Sequence, residues 1–337
     1  GASAAQFSTI ITVSTLAVAI TAPFTGAVAD VLGRKRVIVA AMFVLVIPTL
    51  MVALAPTLNS LIFWRGVQGL VLPPVFAVTV AYIGDEWPPA GATKVTGIYS
   101  SASSVGGFSG RLLVGILADL VSWRAGFISL AAIALVGAIA VAFLLPRERG
   151  FVRSKGIGAS LRQMVGHFRN GQLLATYAVG FGVLFNFICT FTYVSFYLAA
   201  PPFNLSATWL GAIFVVYLVG SVLTPWVGWA VGRFGRRRFV VRVIALWIAG
   251  IALTLASSLS LIVAGLAISA GCGLICQAIS TGYVTITAKS GRSSAVGLYV
   301  TSFYIGGSFG AALGGIAWTL GAWLACVLLV IAMLVIM

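Results

Sequence analysis

The chain alternates apolar stretches of roughly 18 to 25 residues, each long enough to cross about 30 Å of hydrocarbon as a helix, with short polar connections. We read such spans at about 7–29, 37–55, 61–83, 95–117, 127–145, 172–198, 207–231, 239–257, 261–283, 295–318 and 322–337, eleven in all. Of the 337 residues 61% are hydrophobic and 7% charged, and the mean hydropathy is +1.14. No water-facing globular surface can be assembled from that composition. The expectation is an all-α membrane protein with lipid as its constant partner.

A formal charge of +15 would suggest nucleic acid if the cations formed one patch on a polar domain. They fall instead in every second connection. Of 20 Lys and Arg residues, 17 lie on one side, from Arg34, Lys35 and Arg36 through Arg236, Arg237 and Arg238 to Lys289 and Arg292. The other side carries Arg124, while Arg65 and Arg111 lie inside spans. The positive-inside rule makes the cation-rich side cytoplasmic, so the chain is expected to be multi-pass in a bacterial inner membrane, with no nucleic-acid partner. Cys189, Cys272, Cys276 and Cys326 all fall within spans, and no disulfide is expected. Cys272 and Cys276 share a helix face, but no His or carboxylate stands near them in sequence, so neither a metal nor a cofactor is expected.

The chain repeats itself. Pro23, Gly26, Gly33, Arg34 and Arg36 match Pro225, Gly228, Gly235, Arg236 and Arg238 at one offset of 202, as from Pro23 to Pro225. Independently, Gly97, Tyr99, Gly106, Gly107, Gly110, Gly115 and Ile116 match Gly297, Tyr299, Gly306, Gly307, Gly310, Gly315 and Ile316 at an offset of 200, as from Gly97 to Gly297. Both basic loops lie on the cytoplasmic side, so the repeat is parallel, with an even number of spans per copy. The expected domains are a bundle at 1–146, a cytoplasmic linker at 147–171 and a second bundle at 172–337. The span at 172–198 should then have a counterpart before residue 1, which makes twelve helices in the intact protein. In the linker, Leu161, Met164, Val165 and Phe168 have the spacing of an amphipathic helix on the inner leaflet. His167 is expected at that surface.

The stretch GAVADVLGRKRV, from Gly26, resembles the loop between helices 2 and 3 of the major facilitator superfamily, and WRGVQGL, from Trp64, resembles its helix 4 motif of Arg, Gln and Gly. Across the chain the resemblance implies two parallel-repeat six-helix bundles, here without the first helix. GGFSGRLLVGILADLVSWR and LFNFICTFTYVSFYL resemble the acriflavine-sensitivity branch, which includes arabinose-efflux and multidrug permeases. Two positions depart from the pattern: Val31 follows Asp30 where the family has Arg, and Arg111 follows Gly110 where its antiporter motif has Pro.

The resemblance places the Asp30 loop against the cytoplasmic start of the helix beginning near Ser293. A carboxylate facing the free N–H groups of a helix start is stabilised by about 0.3–1 kcal/mol, and here it would latch the inner gate, with Gly26, Gly33 and Arg34 shaping the loop. The second copy has Gly232 at that place. Alternatively the cluster is only a topology signal. Arg65 and Arg111 sit where a charge costs at least about 2.5 kcal/mol, which argues against a lipid-facing position. The resemblance implies proton coupling or cavity electrostatics for Arg65, with Gln68 and Gly69 beside it; snorkelling is the bland alternative. Arg111 either acts there or ties helix ends through Asp119. Gly106, Gly110, Gly306, Gly310 and Gly314 recur every four residues, as moving contacts between the halves or as static packing. The polar and aromatic minority, Tyr99, Asn186, Tyr193, Tyr217, Gln277, Tyr299 and Tyr304, is expected to line a central cavity for a small-molecule substrate.

These readings make the chain a secondary transporter, expected to act as a monomer. It would export small organic or drug-like compounds by alternating access, with the proton gradient rather than ATP as energy source, since no phosphate-binding loop is present. The acids Asp30, Asp85, Glu86, Asp119 and Glu148 all lie off mid-membrane, which leaves uptake symport or uniport of a small organic anion as the alternative. A non-transporting receptor or scaffold lacks a soluble domain to signal through. Enzyme activity is not expected, with one histidine and no catalytic constellation.

Overall fold

The computed structural model describes residues 4–149, 166–288 and 292–337, with the side chains of some helical residues, Asp30 among them, outside the description. Every regular element among these residues is helical. The first half comprises α1 (Ala4–Leu32), α2 (Arg34–Leu54), α3 (Leu58–Pro73), α4 (Thr79–Glu86), α5 (Pro89–Leu120) and α6 (Trp123–Leu144). The second comprises α7 (Gly171–Ala199), α8 (Ala207–Ala212), α9 (Tyr217–Leu223), α10 (Val227–Phe234), α11 (Arg236–Leu253), α12 (Leu259–Thr287) and α13 (Arg292–Ile336).

Eight helical stretches are long and apolar enough to cross a membrane. Neither α5, diluted by Ser, Gly, Arg111 and Asp119, nor α11, with four arginines, is among them. One stretch, Ala295–Ile336, holds two spans: α13 would run roughly 67 Å if straight, but its backbone breaks at Gly321 and Ala322. Counting both arms, α5 and α11, the described residues carry the eleven rods expected.

Two rods are interrupted for stated reasons. Pro73 and Pro74 lack amide hydrogens and cannot continue the ladder, so α3 passes into a wide π turn at Pro74–Val78 before α4 resumes. The rod α8 to α10 tightens at Ile213–Val216 and again at Thr224–Trp226, the second time at Pro225. Positions 150–165 of the expected linker helix lie outside the described residues. His167, expected at the surface, is buried.

Buried side chains gather in three clusters, none of which draws on both halves. One contains Ala29, Val37, Ile38, Val78 and Tyr82. The others are built around Leu173, Tyr177 and Tyr299, and around Tyr193, Trp247 and Trp323.

The loop repeat is visible in the backbone. Gly33 has φ 94° and ψ 139°, and Gly235 has φ 74° and ψ 141°, a region open to little besides glycine. Replacing either with Ala should cost about 1–3 kcal/mol of strain. At Gly33 an added methyl would also meet the Glu148 carboxylate, whereas at Gly235 it meets nothing within 4 Å. Thermal unfolding in detergent should therefore show both variants destabilised, Gly33→Ala the more. Equal losses would mean that the Glu148 contact is immaterial.

Candidate functional site

At the inner end, the basic loop of the first half is held by acids of the same half. Arg34 Nη1 pairs with Asp85 Oδ2 at 2.6 Å, joining the start of α2 to the end of α4. The Lys35 N–H donates to Glu148 Oε2 at 3.2 Å, and its ammonium donates to the Leu145 carbonyl. The Arg149 N–H donates to Glu86 at 2.8 Å, and the Tyr82 hydroxyl to the Pro146 carbonyl at 3.0 Å. In the second copy rings replace acids: Arg236 lies 3.8 Å over Tyr283 and Arg242 5.3 Å over Phe234. The side chain of Asp30 and those of residues 289–294, where its partner helix begins, lie outside the described residues. Along the same two helices, Pro23 Cα lies 3.7 Å from the place a Gly297 methyl would take. Gly26 faces open space.

Deeper in, Arg65 Nη1 donates to Gln68 Oε1 at 2.8 Å, and Gln68 Nε2 donates to Thr49 Oγ1 at 2.8 Å. The amide thus fixes the arginine by one end and is fixed by α2 at the other. Gly69 lets α3 approach the Ser14 carbonyl of α1. The guanidinium carbon of Arg111 lies 4.6 Å from the ring centre of Phe214 and 5.7 Å from that of Tyr217, both on the other half. Arg111 is exposed, and its Nη1 also donates to the Gly107 carbonyl at 3.0 Å; stacking at an exposed site is worth about 0.5–1 kcal/mol. The charge of Arg111 is felt at Arg65. Among the described residues neither forms an ion pair with a carboxylate. Tyr99 donates to the Val75 carbonyl in the π turn at 3.3 Å and faces Tyr304 across the halves. Arg65, Gln68, Tyr99, Arg111, Tyr217 and Tyr304 therefore gather at the boundary between halves.

Asp119 does not tie to Arg111, as the sequence suggested. Its carboxylate reaches the second half, where it accepts from the N–H groups of Thr208 at 2.8 Å and Ala207 at 3.1 Å, donors that open the first turn of α8. The hydroxyl of Thr208 foremost, with its N–H, the Ser206 hydroxyl and the Ala207 N–H, pulls the acid down to about 2. Gly115 lies against the Ala207 carbonyl, and Gly211 against the backbone of Arg111 and Leu112. This seam is packed at its outer end. The other, between α1 and α13, is closed along its length: Ser8 lies against Gly315, the Thr15 and Ser308 hydroxyls are 2.8 Å apart, and Pro23 meets Gly297.

Other expected cavity residues lie elsewhere. Asn186 is fully buried with Nδ2 3.5 Å from Met337 Sδ, Tyr193 donates to the Ala311 carbonyl at 2.6 Å, and Tyr299 packs on Gly180 and Phe303. All three are buried where α7 and α13 meet, and the Tyr193 hydroxyl also reaches Ser8 of α1 in the first half. Gln277 is partly exposed on α12. Gly306 and Gly310 seat the backbone carbonyls of Phe181 and Phe185, and Gly314 seats Tyr193. They are static contacts of α13 on α7 within one half, not contacts between halves. Their counterpart Gly106 meets nothing within 4 Å, and Gly110 only Leu130 at 3.7 Å. Phe214, Thr49 and the capping role of Asp119 were missed; each depends on a partner far away in sequence, and none lies in a recognisable motif.

Two helical halves, polar residues gathered at their boundary and cation-rich inner ends describe a multi-pass integral membrane protein of the transport class. A family model for the Major Facilitator Superfamily matches residues 1–223, and the chain belongs to that family. It is similar to the inner membrane transport protein YnfM of Escherichia coli (strain K12), 31% identical over 345 residues, with 99% of this chain and 82% of that protein covered. It is also similar to the uncharacterized MFS-type transporter YybF of Bacillus subtilis (strain 168), 26% identical, covering 97% of this chain and 81% of that one. The fold is shared with a crystallised variant of the nucleoside transporter NupG, with a TM-score of 0.77 at 16% identity, covering 99% of this chain and 89% of that chain.

Gly306→Ala should destabilise by about 1–3 kcal/mol through overpacking. Gly106→Ala should gain up to about 1 kcal/mol of helix propensity, so the two thermal shifts have opposite sign. Spin labels at Val121 and Trp209 should report one short distance, lengthened by Asp119→Asn. A carboxyl held at about 2 keeps its contribution above the ordinary value of 3.8 and loses it as pH falls through about 2. The distance should accordingly not change between pH 7 and pH 5.

Proposed function

We propose that the chain transports a small organic anion by alternating access across the bacterial inner membrane, as a monomer whose bundles at 1–146 and 172–337 tilt about the linker at 147–171. The observation that carries this reading is two guanidiniums, Arg65 and Arg111, whose charges act on each other, the second stacked on rings of the other half, with no carboxylate paired to either among the described residues. Like charges repel, and half-buried Arg65 is screened less than a charge in open water. A substrate anion entering between them relieves that repulsion and replaces lost water. Phe214 and Tyr217 suit an apolar, flat body behind the anionic group.

Efflux of drug-like compounds by proton antiport is the second reading. Arg65, Gln68 and Gly69 favour it through their resemblance to the helix 4 motif of the family. It requires a group that changes charge inside the cavity, and none of the five acids in the chain stands mid-membrane. That carboxylate would belong to the helix expected ahead of residue 1.

Counterflow separates the two, because it needs no driving gradient. Vesicles holding the purified protein and trapped benzoate should accumulate radiolabelled benzoate, and Arg65→Gln or Arg111→Gln should each cut the rate about tenfold or more through loss of a charge-assisted bond. Ethidium export under an imposed pH gradient, without benzoate counterflow, would discard the anion reading in favour of the second.

A further inference from the structure

A cavity of about 880 Å³ lies at the inner end of the first half, away from the boundary of the halves. Its deeper wall is apolar, built from Val39, Ala40 and Ala142, and its mouth carries Lys35, Arg36, Arg147 and Glu148. The gradient runs along the membrane normal. Ala40 is about one helical turn deeper than Arg36, and Ala142 precedes Arg147 by more than a turn.

The charges at the mouth do not cancel. Glu148 accepts from the Lys35 N–H, and the Lys35 ammonium is taken by the Leu145 carbonyl. Arg36 and Arg147 are exposed, and among the described residues neither forms an ion pair with a carboxylate. Two free guanidiniums thus stand at headgroup level over an apolar slot that opens between α2 and the end of α6. A soluble phosphate could use the cations but would leave the slot unfilled. A lipid with a neutral headgroup could use the slot but would leave the cations unpaired.

We propose that this cavity is a binding site for an anionic phospholipid, with its phosphate on Arg36 and Arg147 and an acyl chain along Val39, Ala40 and Ala142. The site adjoins the Arg34–Asp85 pair and the Glu148 contact. An occupied cavity therefore braces the tied loop and stabilises the inner end. The inference is independent of the substrate reading, since it rests on neither Arg65 nor Arg111.

Native mass spectrometry of the full chain, released from nanodiscs of mixed phosphatidylglycerol and phosphatidylcholine, tests it. The protein should retain phosphatidylglycerol in preference to phosphatidylcholine. Arg36→Gln and Arg147→Gln should each weaken retention about fivefold and the double variant about thirtyfold. The exposed pair Arg237→Gln and Arg238→Gln on the second half should leave it unchanged. Ala142→Trp, which fills the slot and keeps the cations, should also release the lipid. Retention that survives the double variant overturns the site. Displacement of phosphatidylglycerol by millimolar glycerol phosphate, with Ala142→Trp having no effect, overturns the lipid assignment and leaves a soluble phosphate site.

Discussion

No water reaches the hydrocarbon core to satisfy a free amide or carbonyl, and each break in a helix must be repaired from within the protein. Hydroxyls cluster beside the breaks here. In the π turn after Pro73 and Pro74, the Val75 carbonyl accepts from the Thr79 hydroxyl at 2.7 Å and from the Tyr99 hydroxyl at 3.3 Å. Beside Pro225, the Thr224 hydroxyl donates to the Gly220 carbonyl at 2.7 Å. The Tyr99 bond ties α5 to the π turn, on the same rod that carries Arg65.

The same absence of water sorts the charges. At the inner surface of the first half, cations are held by acids; in the second, they lie over Tyr283 and Phe234. An ion pair can exchange partners as helices tilt, whereas a stacked guanidinium stays with its ring. The two copies of one sequence phrase therefore meet different partners, acids in the first and rings in the second. Divergence between copies also separates Gly306, seated on the Phe181 carbonyl, from Gly106, which faces open space.

Much of this was legible in the sequence, because the bilayer makes length and polarity decisive. The spans, the parallel repeat and the paired Gly33 and Gly235 follow from spacing alone, and both glycines do adopt left-handed backbone. Arg65 with Gln68 was legible because two polar residues one turn apart must satisfy each other. Side-chain direction was not. Asn186 and Tyr299 are polar enough to suggest a cavity, yet each turns into its own bundle, while Tyr193 is buried but reaches Ser8 of the other half. A helix facing neighbours on several sides gives polarity no unique direction. His167 was misplaced for a related reason: amphipathic spacing identifies an apolar face but not what covers it.

Sequence reasoning assigned to Asp30, at the inner surface, a contact from the first half to a helix start in the second, and that contact lies outside the described residues. Among the described residues a contact of this kind stands at the outer surface, where Asp119 meets α8. A contact made in only one state shifts the balance toward that state by its own free energy and no more. With Asp119 engaged and Gly115 and Gly211 closing the backbones beneath it, the resting protein favours an outer end that is shut. Any substrate that opens that end must bind the open state more tightly by at least the worth of this seam. That worth includes more than Asp119 and its two glycines, because Ser8 against Gly315 and the Thr15–Ser308 pair hold the other seam as well.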